Sequence, residues 1–515
     1  MKKIVSITAL ILAILLTVPS VAMGAAGESG YEGGISSGQN GGKTVLEYQE
    51  VSFITGEPIV LKGTITIRKT SKQSSILTTY TYSLKNVEKG ATLTRTVMYE
   101  TKITKKDNGQ EIEETVLNGT PKETLTIRSN NTTTSYVLTS CEFTKSTIKD
   151  LKPAVNYYAG NLMSSKTYQI GAAANNSTVT IITTGEIYGY DQYWSNAEAI
   201  SLKHYIESRR NINQQVDVWG GEASVTISSS LLKQIGYFEN IPGEISFEGG
   251  YGQSQFQSSI MEYTCRLPEF DKNGLSTDNM MEIHDSLRVD GFPVFQRMPV
   301  ANMNNVGGHW AENEIKELFG LEIFTGNPQQ FNPDKFMTRI EFTDALLKAA
   351  KEVPEDSALT NKTAYKTVSS LKKTNQEVTS PFKDIDVNSA YFSIVDSAVK
   401  RGMLAGKGND IFAPDEYITK VEAVTAMIRA LGLENLAPGS YPVTFFRDND
   451  DIPDYAKAAV YVAARIGLIE PDEYGNFNPH QVLTNGRAAQ IMKKFIDYLC
   501  NGIIKDYRER FVNYY

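Results

Sequence analysis

Three short stretches near the end of the chain set a hydroxyl, a cation and a carboxylate at fixed spacing. Two are complete, Thr338-Arg339-Ile340-Glu341 and Thr419-Lys420-Val421-Glu422. A third, Thr484-Asn485-Gly486-Arg487, keeps the hydroxyl but has Asn485 at the cation's place and Arg487 at the carboxylate's. A Thr followed three residues on by a Glu is a capping box: the hydroxyl accepts from an early helical N–H, and the carboxylate accepts from the cap's own N–H. Thr338, Glu341, Thr419 and Glu422 are therefore expected to cap helices. Arg339 and Lys420 then stand at a helix N-terminus, where free N–H groups and the helix dipole favour an anion. A guanidinium adds a planar fork that matches a carboxylate, whereas an ammonium is a point charge. An anionic ligand suits such positions.

Each stretch closes a longer pattern that recurs about three times. The first copy opens at Gly307-Gly308-His309-Trp310-Ala311 and passes Gly326 and Phe331-Asn332-Pro333-Asp334. The second opens at Phe382-Lys383-Asp384, then Gly402-Met403-Leu404-Ala405-Gly406 and Phe412-Ala413-Pro414-Asp415. The third opens at Phe446-Arg447-Asp448, then Ile466-Gly467-Leu468 and Phe477-Asn478-Pro479. Each copy predicts helix, loop, helix. Ala311, Ile315, Leu318 and Phe319 share one face, and so do Phe342, Ala345, Leu346 and Ala349. One copy has too little apolar surface to fold alone, and three packed together have enough.

These copies resemble the S-layer homology motifs that end many surface proteins of Gram-positive-type bacteria. Met337-Thr338-Arg339-Ile340-Glu341 is similar to the family's Ile-Thr-Arg-Ala-Glu signature, and Gly-His-Trp-Ala opens the first copy as the family does. The resemblance covers roughly the last two-fifths of the chain. It implies a three-pronged helical spindle that binds secondary cell-wall polymers, often pyruvylated, in grooves between prongs. By that likeness the polymer-binding residues are Arg339, Lys420, Asp384, Asp448, Trp310, Gly326 and Gly406. It also implies a place on the cell wall, with self-association in a surface layer as a further expectation. The motifs are expected at 306–350, 381–434 and 445–500, with an inserted polar loop at 351–380 and a tail at 501–515. Copy three departs furthest, lacking both the cation and the capping carboxylate.

The start of the chain has the form of a secretory signal over residues 1–24: Lys2 and Lys3, an apolar run from Ile4 to Val18, then small residues. The net charge of −8 falls by two, to −10, when Lys2 and Lys3 leave. That argues against generic nucleic-acid binding. No other stretch is apolar enough to span a bilayer, so the mature chain is expected to carry no transmembrane segment. Residues 25–44, rich in Gly and Ser, are expected to be flexible.

From 45 to 270 the period becomes two. β-Branched and aromatic residues alternate with polar ones, and Asp107-Asn108-Gly109, Asn118-Gly119 and Asn130-Asn131 punctuate the runs as turns. An antiparallel sandwich or barrel-like domain is expected. A helical break is expected at Asn196 to Arg209, and a linker at 271–305. The fold class is thus multidomain, mainly antiparallel β followed by an all-α spindle. Tyr188 to Trp194 and Gly249 to Gly252 could form a sugar-stacking platform, although such aromatics more often fill a core. Cys141 and Cys265 could pair after export or stay as buried thiols.

No catalytic constellation is apparent. The four histidines have no metal-ligand spacing, so no metal and no cofactor are expected. Glu111, Glu113 and Glu114 cluster beside a turn and are expected to be solvated rather than catalytic. The expectation is a non-enzymatic surface protein that displays its β-domain on a wall anchor. The alternative is a wall-anchored polysaccharide or peptidoglycan hydrolase with an unrecognised site.

Overall fold

The computed structural model describes residues 30–38, 45–71, 75–129, 132–172, 176–212, 215–238, 250–298, 302–351, 379–439 and 441–506. The signal segment, the turn at Asn130-Asn131 and nearly all of the inserted loop lie outside the described residues.

Alternating burial builds one large antiparallel sheet. Its strands are β1 (Ile35–Ser36), β2 (Val45–Ser52), β3 (Ile59–Ser71), β4 (Ser75–Asn86), β5 (Ala91–Lys105), β6 (Gln110–Leu117), β7 (Lys122–Ser129) and β8 (Thr132–Leu151). β9 (Asn156–Ile170), β10 (Thr178–Asp191), β11 (Ser195–Ile212), β12 (Gln215–Phe238), β13 (Gly250–Phe270), β14 (Ser276–Asp290) and β15 (Val294–Arg297) follow. The order is almost a plain meander, with β7 paired to β5 and β8, and β15 paired to β13. In β5, Ala91, Leu93, Arg95, Val97 and Tyr99 point inward while the residues between them face solvent. The sheet rolls until its ends meet: β1 touches β13 and β14, and the Phe53 ring lies 5.8 Å from both His204 and Tyr263. One apolar cluster fills the roll.

Three expectations are corrected. Residues 196–209 form strand β11, not a helix, because Ile200, Leu202, His204, Ile206 and Ser208 all point inward with a period of two. Residues 276–290 and 294–297, expected as linker, are strands of the same sheet. The described part of the segment expected to be flexible, residues 30–38, packs inside the roll, with Ile35 fully buried. Its glycines are there for room: a Cβ on Gly30 would lie 2.0 Å from the Tyr82 hydroxyl, and one on Gly34 would lie 2.1 Å from that of Tyr48.

Each motif supplies two helices, α1 (Glu312–Gly320) and α2 (Arg339–Ala349), α3 (Ala390–Lys400) and α4 (Lys420–Leu431), α5 (Asp454–Arg465) and α6 (Asn485–Asp497), and they pack across motifs, α2 on α3, α4 on α5 and α1 on α6. A backbone triangle joins them. Met337 N–H donates to Leu483 C=O (2.9 Å), Leu483 N–H to Ile418 C=O (3.0 Å), and Ile418 N–H to Met337 C=O (3.0 Å). No motif completes this ring alone. α6 continues through a π-turn at Tyr498–Gly502 into α7 (Ile503–Asp506), so the start of the expected tail is helical.

The sheet docks on the far ends of all three second helices. Trp194 Nε1 donates to Ala349 C=O (2.8 Å) at the end of α2. Ala154 N–H and Tyr157 Oη donate to Ala430 and Leu431 C=O (2.9 and 3.2 Å) at the end of α4. Ser195 Oγ donates to Leu499 C=O (2.8 Å) just beyond α6. The last carbonyls of a helix have no partner within it, so the sheet supplies one for each motif. Tyr190 and Trp194 are buried in the spindle's own apolar cluster. The Tyr188–Trp194 stretch is therefore a domain joint, not a sugar platform.

Candidate functional site

The residue after each N-cap Thr reaches into the loop of the next motif, and the relation is cyclic. Arg339 Nε donates to Phe412 C=O (3.0 Å), Lys420 Nζ to Phe477 C=O (2.7 Å), and Asn485 Nδ2 to Asn332 C=O (2.8 Å). Arg339 and Lys420 also lie over the Phe412 and Phe477 rings, at 5.1 and 4.8 Å. Each contact forms the back of a groove.

The first groove encloses about 440 Å³ and is lined by Arg339, Gly406, Lys407, Glu422, Arg429 and Tyr455. Arg339 is 2% exposed, and its Nη1 lies 2.9 Å from Glu422 Oε1. Glu422 Oε2 meanwhile accepts from Thr419 N and Oγ1, both at 3.0 Å. The capping carboxylate of motif two thus also aims the arginine of motif one. Gly406 is needed for space, since a Cβ would lie 2.5 Å from the Phe382 ring.

The second groove, about 320 Å³, is lined among others by Trp310, Lys420, Glu470, Arg487 and Lys494. Trp310 is 57% exposed, so it is a groove wall and not a core residue. Burial, then the neighbouring Arg487, pushes the Lys420 ammonium below the usual lysine range. Arg487, which looked in the sequence like the loss of a cap, adds a cation to this groove. Thr484 still caps α6, accepting from Arg487 N–H at 3.3 Å.

The third groove, about 270 Å³, has the opposite sign. Its charged lining is Lys335, Glu341 and Asp344, with Asn485 at the back. Glu341 and Thr338 are occupied in their capping box, at 2.8 and 3.3 Å.

Asp384, Asp448 and Gly326 line none of these three cavities. The two aspartates brace loops instead. Asp384 accepts from Phe412 and Ala413 N–H (2.9 and 2.7 Å), and Asp448 from Phe477 and Asn478 N–H (2.7 and 2.6 Å). Burial works to raise the Asp384 carboxyl, but those N–H groups outweigh it and hold it below the usual range. Both aspartates shape the loop that the cation grips. In motif one Asn305 takes that place, donating to Phe331 C=O at 2.6 Å.

A second charged cluster, invisible in the sequence, lies inside the rolled sheet. Arg95 grips Glu50 with both ends of its fork (2.7 and 2.9 Å) and Glu123 at 2.8 Å. Lys166 bonds Glu123 at 3.0 Å and also Glu32. His204 stands nearby, its ring bonded to Thr183 at 2.8 Å; burial, then Lys166, drives its pKa down to about 4. Burial opposes ionisation of Glu123, but Arg95 and Lys166 win and hold it well below the carboxylate range. The adjoining cavity is about 70 Å³, room for a few waters but not for a sugar ring. Glu111 and Glu113 pair with Lys105 (3.3 Å) and Lys149 (2.7 Å). Cys141 and Cys265 are free thiols, each raised by burial to about 11.

Six helices from three motifs closed on a backbone triangle, with grooves walled by neighbouring motifs, define a repeat-built module. Comparison gives the family of its helical part: the S-layer homology domain matches residues 304–343 and 381–424, so the chain carries S-layer homology domains, which place it at the cell surface or cell wall. The third motif lies outside those matches and is joined to them by the triangle. The chain is similar to a surface-layer 125 kDa protein of Lysinibacillus sphaericus, 24% identical over 214 residues, which is 40% of this chain and 16% of that protein. It is also similar to the exoglucanase XynX of Acetivibrio thermocellus, 29% identical over 191 residues, and to an amylopullulanase of Thermoanaerobacterium thermosulfurigenes, 25% identical over 191. Those matches cover 37% of this chain but 16% and 9% of the two enzymes, so the chain spans less than a fifth of each relative. Among the described residues no helix is long and apolar enough to cross a membrane.

Proposed function

We propose that the chain is a non-enzymatic wall-bound protein, held non-covalently by an acidic secondary wall polysaccharide and displaying its β-sheet domain. The observation that carries this reading is the pair of grooves backed by Arg339 and Lys420. Each is open, each carries a net positive lining, and each has an exposed aromatic wall, Tyr455 or Trp310. A pyranose carboxylate fits a cation beside an aromatic face. The acidic third groove is not assigned a polymer contact. Asp384, Asp448 and Gly326 are left in structural roles, and Arg487 and Lys494 join the binding set.

A hydrolase reading has less support. Glycosidase names belong to relatives that match a minor part of their own length. The interior carboxylates of this β-domain are ion-paired in a space of a few waters.

The test is sedimentation of the full-length chain with isolated Gram-positive cell walls, before and after acid removal of the secondary polymer. Lys420→Ala is expected to weaken binding by about tenfold, the scale of a hydrogen bond to a charged group. Binding that survives polymer removal would point to peptidoglycan and overturn the reading.

A further inference from the structure

We propose that the exposed rings of Phe336 and Tyr417 form a separate sugar-stacking site, over which the acidic polysaccharide continues as it leaves the Arg339 groove. This rests on the polymer-binding reading of the grooves.

Phe336, Tyr417 and Val482 occupy equivalent places in the three motifs, each one residue before a corner of the backbone triangle. Bridges from Phe336 to Thr484, Thr338 to Tyr417 and Thr419 to Val482 fix all three positions. Two of the three are large aromatics, 46% and 52% exposed, in a module whose other large apolar side chains are mostly buried. Their rings lie 5.3 Å apart, tilted by 51°. Neither is in the apolar core, so neither is explained by folding.

Each position adjoins a groove. Lys335 and Met337, on either side of Phe336, line the third groove. Glu416, just before Tyr417, is paired with Lys407, which lines the Arg339 groove. Gln481 and Leu483, on either side of Val482, line the Lys420 groove. A polymer long enough to leave the Arg339 groove over the triangle would meet Tyr417 and then Phe336. The ring faces are apolar, half-exposed and already ordered, so stacking the C–H face of a pyranose on them costs little side-chain entropy. Lys335 and Lys407 beside them are already paired with Glu341 and Glu416, so the rings offer an apolar face and not a charge.

The experiment is calorimetry of the full-length chain and its Phe336→Ser/Tyr417→Ser variant, titrated with acid-released wall polysaccharide sized into short and long fragments. Both residues are exposed, and matching melting curves confirm that the variant is folded. The variant is expected to bind short fragments as the parent does, and long fragments roughly tenfold more weakly. Equal binding of long fragments by parent and variant would overturn the inference. So would an equal loss for both fragment sizes, which would make the rings part of a groove. If the parent binds neither size, it is the groove reading itself that fails.

Discussion

Charged side chains serve opposite ends in the two halves of this molecule. In the rolled sheet Arg95, Lys166, Glu32, Glu50 and Glu123 are gathered inward, each 13% exposed or less, and are ion-paired with one another. In the spindle the cations line open grooves and are only partly matched, as with Arg429 and Glu434 at 3.2 Å or Lys494 and Glu470 at 3.2 Å. Buried charge and perturbed ionisation mark both places, but only the second has room for a ligand. Perturbed titration therefore points to function only when space accompanies it.

The comparison breaks first at Arg95. Arg95→Leu leaves three buried carboxylates facing Lys166 alone and is expected to cost about 3–5 kcal/mol, read as a lowered urea midpoint. A loss under about 1 kcal/mol would mean that water reaches the cluster and the contrast is false. His204 comes next. Its folded pKa lies below that of the unfolded chain, so the stability it contributes is full above about 6.5 and is lost as pH falls through about 4. The melting temperature should decline across that window, by an amount on the order of 3 kcal/mol in stability, and His204→Gln should flatten the decline. Smallest is a groove charge. Arg487→Gln should weaken wall binding by a few-fold at low salt and leave it unchanged at 1 M NaCl, because an exposed cation acts through a screened field. A salt-independent loss would place Arg487 in direct contact with the polymer.

The repeats were legible because capping boxes and Asn-Pro or Ala-Pro turns leave local marks, and the strands because Thr, Tyr and Val alternate over long runs. The inward cluster was not, since its five members are spread from Glu32 to Lys166. The available sign was charge at inward positions of an alternating strand, as in Leu46-Tyr48-Glu50 or Leu93-Arg95-Val97. Strand β11 was obscured in the same way: His204 and Ser208 occupy inward places where an apolar side chain would have declared a period of two. Residues 30–38 resembled a tether because their glycines were read as freedom, when two of them make space for tyrosine hydroxyls. In the spindle the wall positions of Trp310 and Gly406 followed from the resemblance. The loop-bracing roles of Asp384 and Asp448 needed coordinates, because a carboxylate's partners here lie about thirty residues further along the chain.

The docking of the sheet onto the ends of α2, α4 and α6 gives the chain a single mechanical unit where the sequence suggested beads on a string. Trp194, Ala154 with Tyr157, and Ser195 each hold a different motif. A pull on the sheet is thus shared among three helices instead of being delivered to one connecting strand. The displayed face keeps one bearing relative to the grooves. A spindle cut free of its sheet would lose a hydrogen-bond donor at the base of every prong at once.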